Sequence, residues 1–524
     1  MTTLGVRPSR VHRLLQGLSL GYVNSAVATV VRLVVTPIML SSLGDAEYGL
    51  RATLLSLTTY LTLFDFGLSN ATARFTAETN EESSGTSPGE ALSSFVAMYA
   101  IIAGLMLFAS IAVSPLLGSL LRLSTDLSGL AVPVFVLMGL STSVSFLRQA
   151  ASGWLFGREH YGAMAGVALF ASVLNPLVTV LALILGASLL GLVAANTATV
   201  VVVTSLYYAV ARRIDSHFQI QWALVDWQLI RRAVSFSTFA VFVALASRLI
   251  GSADNIVISR YVGTSAVAGY SIAAMLLNLG VVLIFRIGDI LLPSYVRLKR
   301  RQDLARLRLA YLESSRIQVV LLGIFCVILV RYGELITRIW LGRSDVVSFP
   351  ILLALAIYWV MHGFVHPVLP LVMGIGREGH LRAVALSYCL EAGIKLTVSL
   401  MLVSTLGPLG VAIGTVVGHA VSSFVILPWL ACQSLGVSLQ YYYTFIGKAA
   451  LWGSVPALGA VFVTRFGWLA HPAWYSSLMG AFMVTVVYMA SVWRFGFDST
   501  GRRRYWSQLS RLSAGLVTRH RDLT

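Results

Sequence analysis

Residues Arg32 to Phe75 read RLVVTPIMLSSLGDAEYGLRATLLSLTTYLTLFDFGLSNATARF, and this stretch decides the fold. Two apolar runs flank a short polar segment carrying Gly44, Asp45, Glu47, Tyr48 and Gly49. Each run is long enough to cross a bilayer, since ~20 apolar residues span its ~30 Å hydrocarbon core. Yet Arg32 stands inside the first run and Asp65 near the end of the second. A charge at membrane depth is costly and normally faces a partner or a water-filled cavity. The stretch therefore reads as a membrane hairpin turned toward something polar.

The composition extends that reading to the whole chain. Of 524 residues, 57% are hydrophobic and only 11% charged, with a mean hydropathy of +0.82. A soluble domain carries about 25% charged residues, so this is a polytopic membrane protein. The net charge of +17 and pI near 10.1 would suit nucleic acid, but the basic residues sit in short segments between apolar runs, where membrane topology accounts for them. Cys326, Cys389 and Cys432 all fall in apolar runs without metal-ligand spacing, which predicts neither a disulfide nor a metal site. The run after Arg7, Arg10 and Arg13 is too long for a signal sequence and is read as a retained first span.

Fourteen spans are predicted, at 17–41, 48–69, 91–118, 128–150, 161–187, 189–211, 234–257, 266–293, 314–336, 348–373, 381–404, 409–432, 445–465 and 474–493. Only Gly186 to Gly191 separates the fifth from the sixth. With the N-terminus inside, the outer loops hold just Arg51, Arg122, Arg260, Arg331, Arg338, Arg343 and Arg465. Arg32, Arg248, Arg286 and Lys395 lie within helices, and every other basic residue is on the inner side. Both termini are accordingly expected in the cytoplasm. Segments 297–316 and 502–521 place apolar residues at helical spacing among bases. Each reads either as an amphipathic helix on an anionic leaflet or as a plain positive-inside loop. Residues 79–90 read as an acidic, flexible loop.

The first half of the chain recurs in the second. Gly157-Arg158-Glu159 returns as Gly376-Arg377-Glu378, Leu190-Gly191 as Leu409-Gly410, and Leu43-Gly44 is matched by Val262-Gly263, all at one constant shift. The copies are six helices long, and an even number preserves orientation, so the repeats are parallel. The expected fold is an all-α polytopic membrane protein: a six-helix lobe at 1–213, a second at 214–436, two extra helices at 437–493 and a basic tail at 494–524. Two such lobes around a central site form a transporter architecture. Arg32 and Arg248 take similar places in the first helix of each lobe, about 22 Å from its inner end at 1.5 Å per residue.

The motifs LSSLGDAEYGL and LFDFGLSNATARF, with SADNIVISRYVGTSAVAGYSIAAML, IWLG, GIGREGH and GPLGVAIGTVVGHAV in the second lobe, carry a family resemblance. From about 15 to 465 the chain resembles the polysaccharide-transport flippases, the Wzx-type O-antigen group of the multidrug/oligosaccharidyl-lipid/polysaccharide exporter superfamily. The resemblance implies an inner-membrane flippase that moves polyprenyl-pyrophosphate-linked oligosaccharide to the periplasmic leaflet. It implies alternating access through a cationic cavity, for O-antigen, capsule or exopolysaccharide synthesis, beside a polysaccharide polymerase and other glycan-assembly proteins. The count of fourteen is similar to that of lipid II flippases, whose last two helices hold the prenyl tail.

Chemistry nominates particular residues. Guanidinium groups stay charged and pair phosphate oxygens bidentately, so Arg32, Arg248 and Arg286 are the expected headgroup ligands. Competing readings are a snorkelling Arg32, an Arg248–Asp254 pair, and self-pairing of Arg286 with Asp289 three residues on. Glu391 and Lys395 are four apart near mid-membrane, read either as a structural lock or with Glu391 as a proton carrier. Asp65 and Asp289 complete the candidates for ion coupling or gating. His362 and His366 read as proton shuttles or, more simply, as core histidines. Pro37 is a candidate bend in the first helix, with Pro133, Pro176, Pro367 and Pro370 further kink sites. No phosphate-loop, HExxH or GxSxG pattern is present, so no enzyme activity and no cofactor are expected. The alternatives are a lipid II flippase, a cation-coupled drug exporter, or a scaffold within a glycan-assembly complex.

Overall fold

The computed structural model describes residues 10–65, 68, 72, 75–76, 87–235, 238–375, 378–466 and 474–497. Within these, the side chains of 10–26, 64–65, 232–244, 373, 375, 378–379, 458, 460–466 and 474–478 are outside the description. All regular structure among the described residues is helical. Among the described residues, eleven helices are long and apolar enough to cross a membrane. The first of them joins two predicted spans, and Thr238–Tyr261 and Leu439–Phe466 supply two further predicted ones. The chain is thus an all-α polytopic membrane protein, as its composition requires.

The two runs of the opening stretch form one helical segment, Arg10–Leu61, interrupted at Gly44 alone. Gly44 has φ 70° and ψ 173°, a backbone conformation open to glycine and strained for any residue with a Cβ. The expected bend at Pro37 is therefore not where the hairpin breaks. Pro37 stays within the helix, and the chain turns seven residues later. The repeat counterpart Gly263 also has positive φ, at 118°. Loss of a Cβ at both places is the local reason for the shared motif. Gly186, with φ 77°, and Ser188, whose hydroxyl accepts the Gly191 N–H at 3.4 Å, separate Tyr161–Ile184 from Leu189–Ile214. Pro88 begins the next membrane helix after a capping box: Ser87 Oγ accepts the Glu90 N–H, and Glu90 Oε2 accepts the Ser87 N–H.

The chain packs as two compact units. One runs to Ser271 and includes Ser399–Val411; the other is Ile272–Val398 with the chain from Ala412. Packing thus divides the chain at Ser271, inside the span Thr264–Arg300, whereas the repeat divides it at 213. The difference arises because Thr238–Tyr261 packs on Arg10–Leu61. In the first unit, Phe95, Tyr99, Phe146, Trp154 and Phe218 form one core, and Leu50, Leu54, Leu117, Phe135 and Leu189 another. Trp154 Nε1 donates to Asp215 Oδ2 at 2.9 Å, and Arg158, over the Trp154 ring, lies 3.6 Å from the same oxygen. This gives Gly157-Arg158-Glu159 a structural role: a turn, with Glu159 at φ 58°, stapled to the end of Leu189–Ile214. Its repeat copy at 376–377 lies outside the described residues.

In the second unit Tyr295, Tyr311, Phe364, Leu427 and Tyr442 form the principal core. The basic segment 297–316 is not a surface amphipathic helix. Leu307, Tyr311 and Leu312 are buried, as the first turns of the long helix Leu304–Leu341. Arg316 is buried too, paired with Glu313 and lying over the rings of Phe445 and Phe497 at 4.4 and 4.2 Å. The segment packs part of its apolar face inside the protein, while Leu304 and most of its bases stay exposed. Segment 502–521 and most of 79–90 fall outside the described residues. The helix Trp474–Ser491 is held by Tyr488, whose hydroxyl donates to the Val320 carbonyl at 2.9 Å.

The burial pattern is that of a protein in lipid. Phe108, Ile184, Leu386 and Phe482 are each about 70% exposed, whereas Glu391, Lys395, His419 and Gln318 are buried. Large apolar side chains outside and ionisable groups inside invert the distribution of a water-soluble fold.

Candidate functional site

Each unit carries polar side chains at membrane depth. In the first, Arg32 lies on Arg10–Leu61 and Arg248 on Thr238–Tyr261, and both are exposed. The Arg32 carbonyl accepts a hydrogen bond from Thr36 Oγ1 at 2.8 Å, a local contact that leaves the guanidinium uncommitted. Neither arginine has a carboxylate partner among the described residues. The Arg248–Asp254 pair considered from the sequence does not form, since Asp254 Oδ2 takes the Tyr270 hydroxyl at 2.6 Å instead.

That bond belongs to a cluster the sequence did not reveal. Asn255 Nδ2 donates to Ser56 Oγ at 2.9 Å, and Ser271 Oγ donates to Asn255 Oδ1 at 3.1 Å. Tyr60, one turn from Ser56, lies within electrostatic reach of Asp254. The cluster is drawn from three helices and needs close backbones. A Cβ on Gly49 would meet the Thr264 carbonyl carbon at 2.7 Å and the Ala268 nitrogen at 3.3 Å. The motifs were visible as SADN and GYS, but only the packing joins them to Ser56. The side chain of Asp65 lies outside the described residues.

In the second unit Arg286 and Asp289 sit one turn apart on Thr264–Asp289, both exposed. They do not pair with each other; Asp289 Oδ1 faces His366 Nε2 at 3.6 Å. Glu391 and Lys395 lie on Glu378–Leu406, nearly fully buried. The Glu391 carboxylate meets His419 Nδ1 of the next helix at 3.1 Å. Glycine 418 makes this possible: a Cβ there would meet Lys395 Cβ at 2.8 Å and the Glu391 carbonyl oxygen at 2.9 Å. His419 was quoted within VGHAV but not singled out, because one histidine in an apolar run gives no sign of its partner. His362 and His366 stand nearby among Phe285, Tyr358 and Trp359.

The second unit also holds a largely apolar cavity of about 900 Å³, lined by Val327, Val330, Leu353, Ile357 and Met361 together with Arg331 and Glu334. Among the described residues of the last two spans, Ser454 contributes to it. Among the described residues no group of His, Cys, Asp and Glu has the arrangement of a metal site, and Cys326, Cys389 and Cys432 are free thiols.

The architecture has solved counterparts. A solved lipid II flippase, MurJ in an inward closed conformation, superposes with a TM-score of 0.70 over 90% of this chain and 97% of its own, at 13% identity. A multidrug resistance MATE family transporter of the MOP superfamily, inward-facing, gives 0.65 over 79% and 95%, at 17% identity. An outward-facing MATE structure gives 0.57 over 84% and 99%, also at 17%. This is the fold of those membrane transporters. Residues 15–299 match the family described as polysaccharide biosynthesis protein, and the chain belongs to that family. The resemblance read from Arg32–Phe75 and its companion motifs is thereby borne out. No curated protein sequence matches the chain.

Proposed function

We propose that this protein is a flippase that moves polyprenyl-pyrophosphate-linked oligosaccharide across the inner membrane, for O-antigen, capsule or exopolysaccharide synthesis. The observation that carries the reading is the set Arg32, Arg248 and Arg286: three arginines in membrane helices, all exposed, none with a carboxylate partner among the described residues. A guanidinium at that depth without a counter-ion is costly, and a mobile pyrophosphate would supply the missing charge at each turnover. Permanently cationic groups at that depth would repel a cationic drug. A transport fold in a polysaccharide biosynthesis family supports the same reading.

In this proposal the repeats 1–213 and 214–436 are the moving lobes, and both termini are cytoplasmic. The protein binds and releases its substrate without chemical change. The apolar cavity beside Met361 is of a size and lining suited to part of a prenyl chain. That is a different place from the groove between the last two helices implied by the resemblance.

The test is leaflet-resolved accounting of lipid-linked glycan in cells carrying Arg32→Ala, Arg248→Ala and Arg286→Ala, singly and together, at matched membrane levels. The expected result is accumulation on the cytoplasmic leaflet and loss of surface polymer, with lysine substitutions partly active. Undiminished export by the triple variant would overturn the reading. Loss of cell-wall synthesis with intact surface polymer would instead assign the lipid II substrate.

A further inference from the structure

Five titratable side chains stand in file through the second unit. Asp289 Oδ1 lies 3.6 Å from His366 Nε2. The ring of His366 is 6.3 Å from that of His362, which is 5.1 Å from that of His419. His419 Nδ1 lies 3.1 Å from Glu391 Oε1. Side-chain exposure falls along the file, from 49% at Asp289 and 19% at His366 to 0% at His419 and 3% at Glu391. Asp289 ends its helix beside the basic turn Leu292–Arg300, whereas Glu391 is thirteen residues into its own, about 20 Å along at 1.5 Å per residue. The file thus leads from an exposed carboxylate to a buried one.

Its walls are aromatic and its nitrogens are not used up. Phe285 stacks on His366 at 3.9 Å, and Tyr358 and Trp359 flank His362. Among the described residues, His362 Nδ1, His366 Nδ1 and His419 Nε2 are inaccessible to bulk solvent and have no hydrogen-bond partner, as is true of both polar atoms of the Gln318 side chain. A Cβ on Gly288 would meet Gln318 Nε2 and His366 Nδ1 at 2.7 and 3.1 Å, so these orphaned atoms share one space. Buried polar atoms rarely go unpaired, and a run of them marks ordered water. A neutral imidazole has one donor and one acceptor nitrogen, so it can take a proton on one side and release one on the other.

We propose that this file is a proton path and that Glu391 with His419 is the proton-binding site at its inner end. The proposal rests on the reading of the protein as a transporter. A proton arriving at the Asp289 carboxylate passes to His366 Nε2. The His366 Nδ1 proton leaves through water to His362, and His362 in turn delivers a proton to His419. The loaded site is an imidazolium facing a carboxylate. The unloaded site is a neutral imidazole facing the same carboxylate. Groups facing the pair are Lys395 and Tyr388 on the Glu391 helix and Tyr358 and His362 from Phe349–Val365; Arg286 and Gln318 stand at the Asp289 end. With the Lys395 ammonium, the unloaded site is electrically neutral and the loaded site carries one positive charge. Burying that charge favours a conformation that admits water or an anionic headgroup. This is how one proton would bias the transport cycle.

The experiment uses the full chain in proteoliposomes enclosing a pH-sensitive dye. The probe is a fluorophore-labelled polyprenyl-pyrophosphate disaccharide whose leaflet is read by a membrane-impermeant quencher. Flipping is timed with and without a one-unit pH gradient. For the wild type the ratio of the two directions of flipping should rise with the gradient to as much as about tenfold, the limit for one coupled proton, with matching proton movement. In His362→Gln and His419→Gln the ratio should fall to one and the proton signal should vanish. Asp289→Asn, a substitution of an exposed side chain that leaves the core intact, should lower the ratio and decides the matter if the histidine variants do not fold. A wild-type ratio of one, or variants that keep the wild-type ratio, would overturn the path. Histidine-dependent proton movement with no flipping of the probe would leave the path standing and remove the lipid-linked glycan as substrate.

Discussion

Replacing Gly49 by alanine adds one methyl group where the structure leaves none of the space it needs. The new Cβ would stand 2.7 Å from the Thr264 carbonyl carbon and 3.3 Å from the Ala268 nitrogen, and closer still to the Thr264 carbonyl oxygen. Real Cβ atoms do not approach backbone below about 3 Å, and the obstacle is main chain, with no rotamer to change. The two helices must separate, and overpacking of this kind costs ~1–3 kcal/mol or more. The displacement also loads the Ser56–Asn255 and Asn255–Ser271 hydrogen bonds, each worth ~1 kcal/mol. The expected destabilisation is therefore ~3–4 kcal/mol. Two further variants calibrate it. Gly44→Ala meets no atom within 4 Å but forces a Cβ residue to φ 70°, for ~1–2 kcal/mol. Gly104→Ala, in an open helical position, should gain up to ~1 kcal/mol. Thermal challenge in detergent, with the surviving monodisperse fraction measured by fluorescence-detected chromatography, should rank them Gly104→Ala, wild type, Gly44→Ala, Gly49→Ala. A Gly49→Ala protein as stable as wild type would refute the close approach and the assembly of the Asp254 cluster built on it.

Trp154→Phe deletes the donor to Asp215 and leaves that buried carboxylate with Arg158 and the His217 N–H. A loss of ~1–3 kcal/mol is expected, seen as faster hydrogen exchange at the end of Leu189–Ile214. Tyr488→Phe should cost ~1 kcal/mol through the Val320 bond, and Tyr488→Ala ~3–5 kcal/mol; thermal challenge in detergent reports it. Ser87→Ala breaks the capping box for ~1 kcal/mol, and local exchange at the start of Pro88–Val113 should rise while the rest of the chain is unchanged.

The fold was legible because lipid imposes a simple rule on sequence. Twenty apolar residues must be a span, and glycines at Gly44, Gly186 and Gly263 mark where one ends. Gly44 and Gly263, matched at the shift read from the sequence, both have positive φ, a conformation that admits little besides glycine. The site was less so. Arg32, Arg248, Arg286 and Glu391 announce themselves as charges in apolar runs. The partner of Glu391 does not, because it comes from another helix. His419 reaches Glu391 across 28 residues, and Ser56 reaches Asn255 across 199. Helical spacing pointed to Arg286–Asp289 and Arg248–Asp254 as local pairs. His366 and Tyr270 took the two carboxylates, since side-chain direction is set by the packing of neighbouring helices. The segment 297–316 misled for a related reason: an amphipathic pattern records that one face is apolar, and is silent on whether lipid or protein covers it.

The outward apolar belt has a consequence for how such a chain can diverge. Phe108, Ile184, Leu386, Met401 and Phe482 meet a fluid that adapts to any hydrocarbon shape, so volume is free to drift at these positions while polarity is not. Around Glu391, Gly418 and His419 the reverse holds, since a methyl group there is excluded by backbone. Ancestry should fade first from the outer shell, where only hydrophobicity is inherited. It should persist longest in a thin interior record of glycines and charges.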